Sequence, residues 1–505
     1  MILKSSCRGE SGAFALIDQY IPQNHLVLSK VRALSVPCLS PNFGLARSGF
    51  DIDVKMKQQW KPKQDALLAT TSSTTEHSGA VTKLAVSHDQ GFFVSASLDG
   101  TSRVFELGQI KESGGDLRSC LTYYGHNIES DTSSYVRIND VAVLENSHSV
   151  ASAASDGSLH VWRIDTVTSA QNSSSGQPGK TRVSGNTLLR QIHPSEGEVM
   201  AVTHFNTSSA SILTYATQRG VIHSTDLRSP AEPFSFDFGP EYGYLTTMEV
   251  GKDRSWIAVG SSRGYIGVYD IRFQSLVKLW KHSGHSPIYH LSNACDMSSW
   301  PLLFTGCNNN EAILFDASTG DCRQCYRVLE GSLSYIDRKD LPLDCLSMPY
   351  FENIKIGKQS ISLDAALNMS TSMSSSYNIN ALVGNISRNG TSHLITGGSD
   401  NMIRYWDLGK TTNSFCVAGL SQNQPEPCFG HMDIGRTSRL YICQQPPVPP
   451  SQLLASNKLP LLNKQGIAKC DNRHSDAILD LKVVVNKFSS CLLSSSRDGT
   501  IKIWS

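Results

Sequence analysis

The chain has 505 residues, 39% of them apolar and 18% charged, with 45 basic against 44 acidic side chains and a formal net charge of +1. That balance is that of a folded globular protein, and it leaves no bulk positive field for holding nucleic acid. No apolar run approaches the ~18 residues that cross a bilayer, Met1-Ile-Leu-Lys4 does not open a secretion signal, and thirteen cysteines without a frame fit reduced cytosolic thiols.

Residues 1–59 hold short apolar stretches (13–17 and 25–28) and no repeat; they read as a linker or the remnant of an upstream helical domain. From residue 60 the chain turns periodic. Residues 80–86 and 91–97 are short β-rich runs, and after them comes Ser97-Leu-Asp-Gly-Thr-Ser-Arg-Val-Phe105-Glu106. Ser155-Asp-Gly-Ser-Leu-His-Val-Trp162 repeats the phrase. Three fainter copies follow: Gln218-Arg-Gly220 to Asp226, Arg263-Gly264 to Tyr269-Asp270, and Asn309-Asn310 to Phe315-Asp316. Ser399-Asp-Asn-Met-Ile-Arg-Tyr-Trp406-Asp407 restores it in full, and Ser495-Ser-Arg-Asp-Gly-Thr-Ile-Lys-Ile-Trp504 is the last copy, again with residues 477–485 and 491–496 as strands ahead of it.

Each copy is a tight turn feeding a strand, and in all but the 218–226 copy that strand ends in an aromatic residue. Asp-Gly suits such a turn, because Gly accepts positive φ and Asp bonds the nearby backbone. A turn–strand–aromatic unit repeated along a chain is the signature of a β-propeller blade. The turns at 99, 156, 219, 263, 309, 400 and 498 predict an all-β, seven-bladed WD-repeat propeller over 60–505; the closest spacings, 219 to 263 and 263 to 309, match the ~40–45 residues of such a repeat. The chain ends at a third strand, so residues 67–70 are expected to supply the missing fourth strand of the last blade and remove its edge.

The wide gaps read as insertions. Residues 165–187 are rich in Ser, Gly and Asn, as in a flexible linker. Insertions at about 321–376 and 409–473 read as surface excursions, the second carrying the polyproline-like run 446–450. Cys322 and Cys325 have zinc-like spacing, but no second pair completes four ligands, so they read as two thiols near a strand end.

His77, His285 and His474 lie 22 to 24 residues before Asp99, Asn309 and Asp498, and an aromatic residue lies six after each turn. With Ser494 and Ser496 close by, the last copy holds the residue types of a hydrolytic triad. No oxyanion hole, phosphate loop or paired-carboxylate frame accompanies them. The spacing instead predicts a buried hydrogen-bond network locking each blade, built from His77, Asp99, Asp156, Trp162, His285, Asn309, Asp400, Trp406, His474, Asp498 and Trp504. No catalytic residue, cofactor or metal ligand is expected.

Trp60-Lys-Pro-Lys63 just ahead of His77-Ser-Gly-Ala-Val81, then His204-Phe-Asn206, Leu213-Thr-Tyr-Ala-Thr217, Asp226-Leu-Arg228, Tyr269-Asp-Ile-Arg-Phe273 and 397–408 give the chain a particular likeness. From about residue 60 to 505 it resembles the C-terminal WD domain of the large regulatory, protein-kinase-like subunit of the class III phosphatidylinositol 3-kinase complex. That family carries a kinase-like domain and helical repeats ahead of its propeller; neither is present in this sequence. The resemblance implies a non-catalytic scaffold that joins the lipid kinase catalytic subunit to a Beclin-like coiled-coil subunit and its autophagy or endosomal partner. It implies a cytoplasmic protein held to endosomal, autophagic or vacuolar membranes through the complex, with no nucleic acid and no span of its own. A second reading rests on Arg228 and Arg272, each two residues after the closing Asp of a repeat; this resembles how WD-repeat substrate receptors dock on cullin-based ubiquitin ligases. The plainer reading of both arginines is pairing with acidic groups on neighbouring blades.

Overall fold

The computed structural model describes residues 70–110, 115–127, 136–167, 180–229, 231–294, 301–308, 310–330, 348–349, 351–354, 377–386, 392–420, 426–434, 438–445, 473–485 and 490–504. Residues 1–59, the Trp60 segment, Asn309 and the proline run 446–450 lie outside them.

Seven sheets form the expected seven-bladed propeller. Their innermost strands are Val81–Val86, Ile138–Val143, Val199–Asn206, Leu245–Val250, Ile288–Asn293, Ile379–Asn385 and Ile478–Val485, which define blades one to seven. Each inner strand packs on that of the next blade, and the seventh packs on the first, closing the ring. Outward from the first of them run Phe92–Ser97, Ser102–Glu106 and Leu121–Tyr123, all antiparallel. The second strands are buried nearly end to end, as in Phe92–Ser97 and Leu302–Cys307, because both their faces meet neighbouring blades. Such strands read as continuous apolar runs without alternation.

The turn between second and third strands needs a left-handed residue in every blade. Gly100, Gly157, Gly220, Gly264 and Gly499 supply it at φ between 78° and 112°, and Asn310 and Asn401 supply it at 55° and 64°. Asn is the residue that tolerates this region best after Gly.

All seven inner strands carry a bulge at one position. Thr82, Asn139, Met200, Thr246, Tyr289, Asn380 and Leu479 are each skipped in the pairing with the second strand. A bulge takes backbone groups out of the ladder and turns the strand. Where the bulged residue is short and polar it reaches the next blade. Thr82 donates to the Ile138 carbonyl (3.0 Å), Asn139 to Val199 (3.0 Å), Asn380 to Ile478 (3.1 Å), and Thr246 to Ile288. In three inner strands the residue after the bulge accepts a backbone N–H of the next blade: Asp480 from Leu84 (2.9 Å), Asp140 from Val202 (2.8 Å), Thr247 from Leu291 (3.3 Å). Lys83 has no acceptor to offer blade two, and there Asp140 takes the N–H of its own neighbour Val141 (2.8 Å).

Blade seven is assembled from distant segments. Thr70–Thr74 pairs antiparallel with Ile501–Trp504, matching Thr70 to Trp504, and Gly115–Asp116 adds in parallel outside it. The closing strand thus starts at the last residue of the expected segment, with residues 67–69 outside the described part. The described parts of the two insertions are strands as well. Cys322–Glu330 is the fourth strand of blade five and Phe415–Ala418 that of blade six. Phe351–Asn353 adds a fifth strand to blade four. Ser438–Gln445 pairs in parallel with Cys322–Glu330, and Cys428–Ile434 forms a hairpin with it, giving blade five six strands. Tyr441 stacks on Tyr326 (centroids 4.8 Å apart) and Phe429 meets Trp406 edge-on (5.2 Å). The hairpin therefore wedges into the seam between blades five and six; it is core, because these aromatic rings would otherwise face water.

Candidate functional site: blade networks and exposed turns

Blade seven carries the complete network. The Trp504 indole N–H donates to Ser494 Oγ (2.9 Å), and Ser494 Oγ lies 2.7 Å from His474 Nε2. His474 Nδ1 is 2.9 Å from Thr500 Oγ1 and 3.6 Å from Asp498, and the Thr500 hydroxyl donates to Asp498 Oδ1 (2.6 Å). Only one direction of donation satisfies every atom: indole to serine, serine to Nε2, Nδ1–H to threonine, threonine to carboxylate. His474 is thereby a neutral Nδ1–H tautomer, and burial lowers its pKa. Burial alone would raise the Asp498 carboxyl; the nearby His474 ring and the bonds from Thr500 outweigh that and hold it low.

Blade two repeats this chain with a histidine that the 22-to-24-residue spacing misses. Trp162 donates to Ser152 (3.3 Å), Ser152 meets His126 Nε2 (2.8 Å), His126 Nδ1 meets Ser158 (2.7 Å), and Ser158 donates to Asp156 (2.6 Å). His126 lies 30 residues ahead of Asp156; the Gly125-His126 pair was the available signal. In blade one, His77 Nδ1 reaches Asp99 directly (2.8 Å) and Nε2 reaches Ser95 (2.7 Å), while the terminal aromatic is Phe105, which has no N–H to give.

Blades five and six depart from expectation. His285 is exposed at φ 52°. The buried imidazole of that corner is His282, 3.8 Å from Glu311. Glu311 occupies the place of Thr500, and its longer carboxylate also receives the Arg327 guanidinium (2.7 Å) and the Cys325 thiol (3.0 Å). This explains Cys325 as a buried hydrogen-bond donor; burial also pushes the Cys322 thiol up to about 12, far from a thiolate ligand. In blade six no histidine among the described residues meets Asp400. The buried Arg404 guanidinium does (2.5 Å), sharing itself with Gln445 of the inserted hairpin, and Asn310 of blade five donates to the same carboxylate (3.2 Å). Trp406 still donates to Thr396 (3.0 Å).

These serine, histidine and aspartate groups are blade locks: His126, His77 and His474 are buried, and each serine hydroxyl is already engaged. Along the ring axis lies a cavity of ≈ 580 Å³ lined by inner strands, with Lys83, Asp140, Glu249, His290 and Lys482 on its wall. Asp480 sits behind them, 3.9 Å from Lys83 and 3.7 Å from His290. Among the described residues no group of three or more His, Cys, Asp or Glu is placed to hold a metal ion.

Arg228 and Arg272 are exposed, in the turns after the third strands of blades three and four. They do not pair across blades as expected. Arg272 forms an ion pair with Asp270 of its own turn (2.8 Å), and the Arg228 backbone N–H is capped by Asp226 (3.1 Å).

The seven sheets, their shared turn and the recurring lock define a WD-repeat β-propeller. The family model for the WD domain, G-beta repeat, matches residues 69–106, 118–163 and 468–505. Over 468 residues, 88% of this chain, it is 27% identical to serine/threonine-protein kinase VPS15 of Arabidopsis thaliana. It is 30% identical over 226 residues (45% of the chain) to the probable serine/threonine-protein kinase vps15 of Dictyostelium discoideum, and 29% over 267 residues (50%) to the putative VPS15 of Komagataella pastoris. The chain spans only 29%, 11% and 18% of the lengths of those relatives. Among solved structures, the WD40 β-propeller domain of Doa1 is 12% identical, with a TM-score of 0.47 over 86% of this chain and 96% of that one. The chain is thus a WD-repeat homologue of the VPS15 proteins.

Proposed function

We propose that this chain is a non-catalytic scaffold of a class III phosphatidylinositol 3-kinase complex. In this reading it joins the lipid kinase catalytic subunit to a Beclin-like subunit and that subunit's autophagy or endosomal partner. The observation that carries the reading is the homology to VPS15 proteins along 88% of the chain, together with the resemblance at Trp60, 213–217 and 269–273. The physics of the ring supports it. Seven blades packed on one another, several of them locked internally and stitched to their neighbours, form a rigid body whose loop faces can meet helices, and such interfaces commonly bury about 1,200–2,000 Å². The relatives are named kinases, but they match this chain in its WD-repeat region, and in this chain the serine, histidine and aspartate groups of that region are buried in locks. Localisation to endosomal, autophagic or vacuolar membranes would come through the complex; among the described residues no helix is long and apolar enough to cross a membrane.

Co-expression with the lipid kinase and the Beclin-like subunit, followed by size exclusion, tests the proposal. Co-elution, with no phosphate transfer by the isolated chain, is the expected result. Elution of the chain alone would defeat it. Docking on a ubiquitin-ligase adaptor through Arg228 and Arg272 would establish the rival role, which Arg272, already tied to Asp270, favours less.

A further inference from the structure

Strand direction alternates through each blade, so the turns after the first and third strands share one face of the ring, and the remaining connections share the other. Phe273, in the turn between Tyr265–Asp270 and Ser275–His282, lies on the first face; Tyr244, just ahead of Leu245–Val250, lies on the second. Phe273 is 70% exposed, more than any other large apolar side chain among the described residues.

Its turn is built to hold it there. Asp270 Oδ1 accepts the backbone N–H groups of Arg272 (2.8 Å) and Phe273 (3.2 Å), and Oδ2 binds the Arg272 guanidinium (2.8 Å). The guanidinium sits 5.7 Å from the Phe273 ring centroid. Gln274 closes the turn at φ 50°, a region unfavourable for a residue with a Cβ, and its carboxamide donates to the Pro233 carbonyl of the neighbouring blade (3.0 Å). An exposed phenylalanine on a turn tied at both ends has little conformational entropy left to lose on docking, and aromatic residues are enriched in the desolvated centres of interfaces.

We propose that the Arg272–Phe273 tip on blade four is the anchor by which the propeller docks on a protein partner, with Phe273 filling an apolar pocket. This rests on the scaffold reading above and assigns the contact to the lipid kinase–Beclin-like assembly, on this face. The charges nearby select a protein over a membrane. On this face blades three and four set Arg228, Lys252, Arg254 and Arg272 against Asp226, Glu232, Asp253 and Asp270. A patch without net positive charge gains nothing from anionic lipid, whereas alternating charges complement a polar protein rim.

The test uses the whole chain co-expressed with the lipid kinase and Beclin-like subunits, with the photo-crosslinker p-benzoylphenylalanine in place of Phe273 or of Tyr244. Crosslinking to one of those subunits from position 273 but not 244, and at least a tenfold weaker association of Phe273→Ser with unchanged melting, are expected. Crosslinking from 244 alone, or a Phe273→Ser variant that assembles normally, overturns the docking face and leaves the scaffold role standing. Failure of the unmodified chain to co-elute removes both. Flotation of the chain with phosphatidylserine–phosphatidylcholine vesicles, lost in Phe273→Ser, would assign the tip to a membrane and overturn the proposal.

Discussion

Asp498 shows how much one carboxylate can hold. It caps the Ser475 N–H (2.8 Å) and the Thr500 N–H (2.9 Å), and it terminates the chain of donors that begins at Trp504. Asp498→Ala leaves those donors without an acceptor, and a loss of about 2–4 kcal/mol in denaturant unfolding is expected. Arg163→Ala, which removes only an exposed ion pair with Asp165, is expected to stay within about 0.5 kcal/mol. Equal losses would remove the network from the account. The histidines add a pH dependence of definite sign. Burial lowers His126 to about 3 and His204 and His290 to about 4, against 6.5 for the free side chain. The unfolded chain then binds protons that the folded chain refuses, so stability falls as pH drops from about 6.5 towards 4. The carboxylates held low at Asp99 and Asp498 add their own loss only below the usual carboxylate range, near 3.8. Melting temperatures should decline between pH 7 and pH 4.5, and a flat profile there would contradict the buried neutral imidazoles. The lock was legible at this scale where residue types repeat, as with His77, His474 and Asp99. It was illegible where a different chemistry fills the same space: Arg404 for a histidine, Glu311 for a threonine, and His126 displaced by a longer connection.

Turn and third strand announced themselves in every blade, because a left-handed residue followed by an alternating run is a local signal that survives even as Asn309-Asn310. Added strands gave no such signal. Ser438–Gln445 pairs in parallel with Cys322–Glu330, more than a hundred positions earlier, and nothing local marks a partner that distant. Its alternation stood beside the prolines at 446–450 and read as loop. Deleting the hairpin 428–445 is expected to yield an aggregating protein, since Tyr326 and Trp406 lose their cover and Cys322–Glu330 becomes an open edge. A soluble, cooperatively melting deletion would show the hairpin to be dispensable. Removing residues 60–76 should have the same consequence at blade seven, where Ile501–Trp504 loses its outer antiparallel neighbour and Gly115–Asp116 has nothing to extend. Monomeric behaviour of that variant in size exclusion would refute closure by this strand.

For the ring as a whole, rigidity comes from repetition with substitutions. Bulge, stitch and lock recur around the axis, and at two places where one blade lacks a group a neighbour supplies it: Asp140 beside Lys83 and Gln445 beside Arg404. The pairing of Thr70 with Trp504 has a temporal side. During synthesis Thr70–Thr74 emerges long before its partner strand exists. At about 5–20 residues per second, the stretch from Thr74 to Ile501 takes on the order of tens of seconds to make, and Thr70–Thr74 waits that long for its partner while the blades form one after another. The nascent chain spends that interval as an open arc, so a chaperone has a defined window in which to act. A ribosome that stalls late in the message leaves an arc that cannot shut, and quality control meets a nearly finished domain with one adhesive edge.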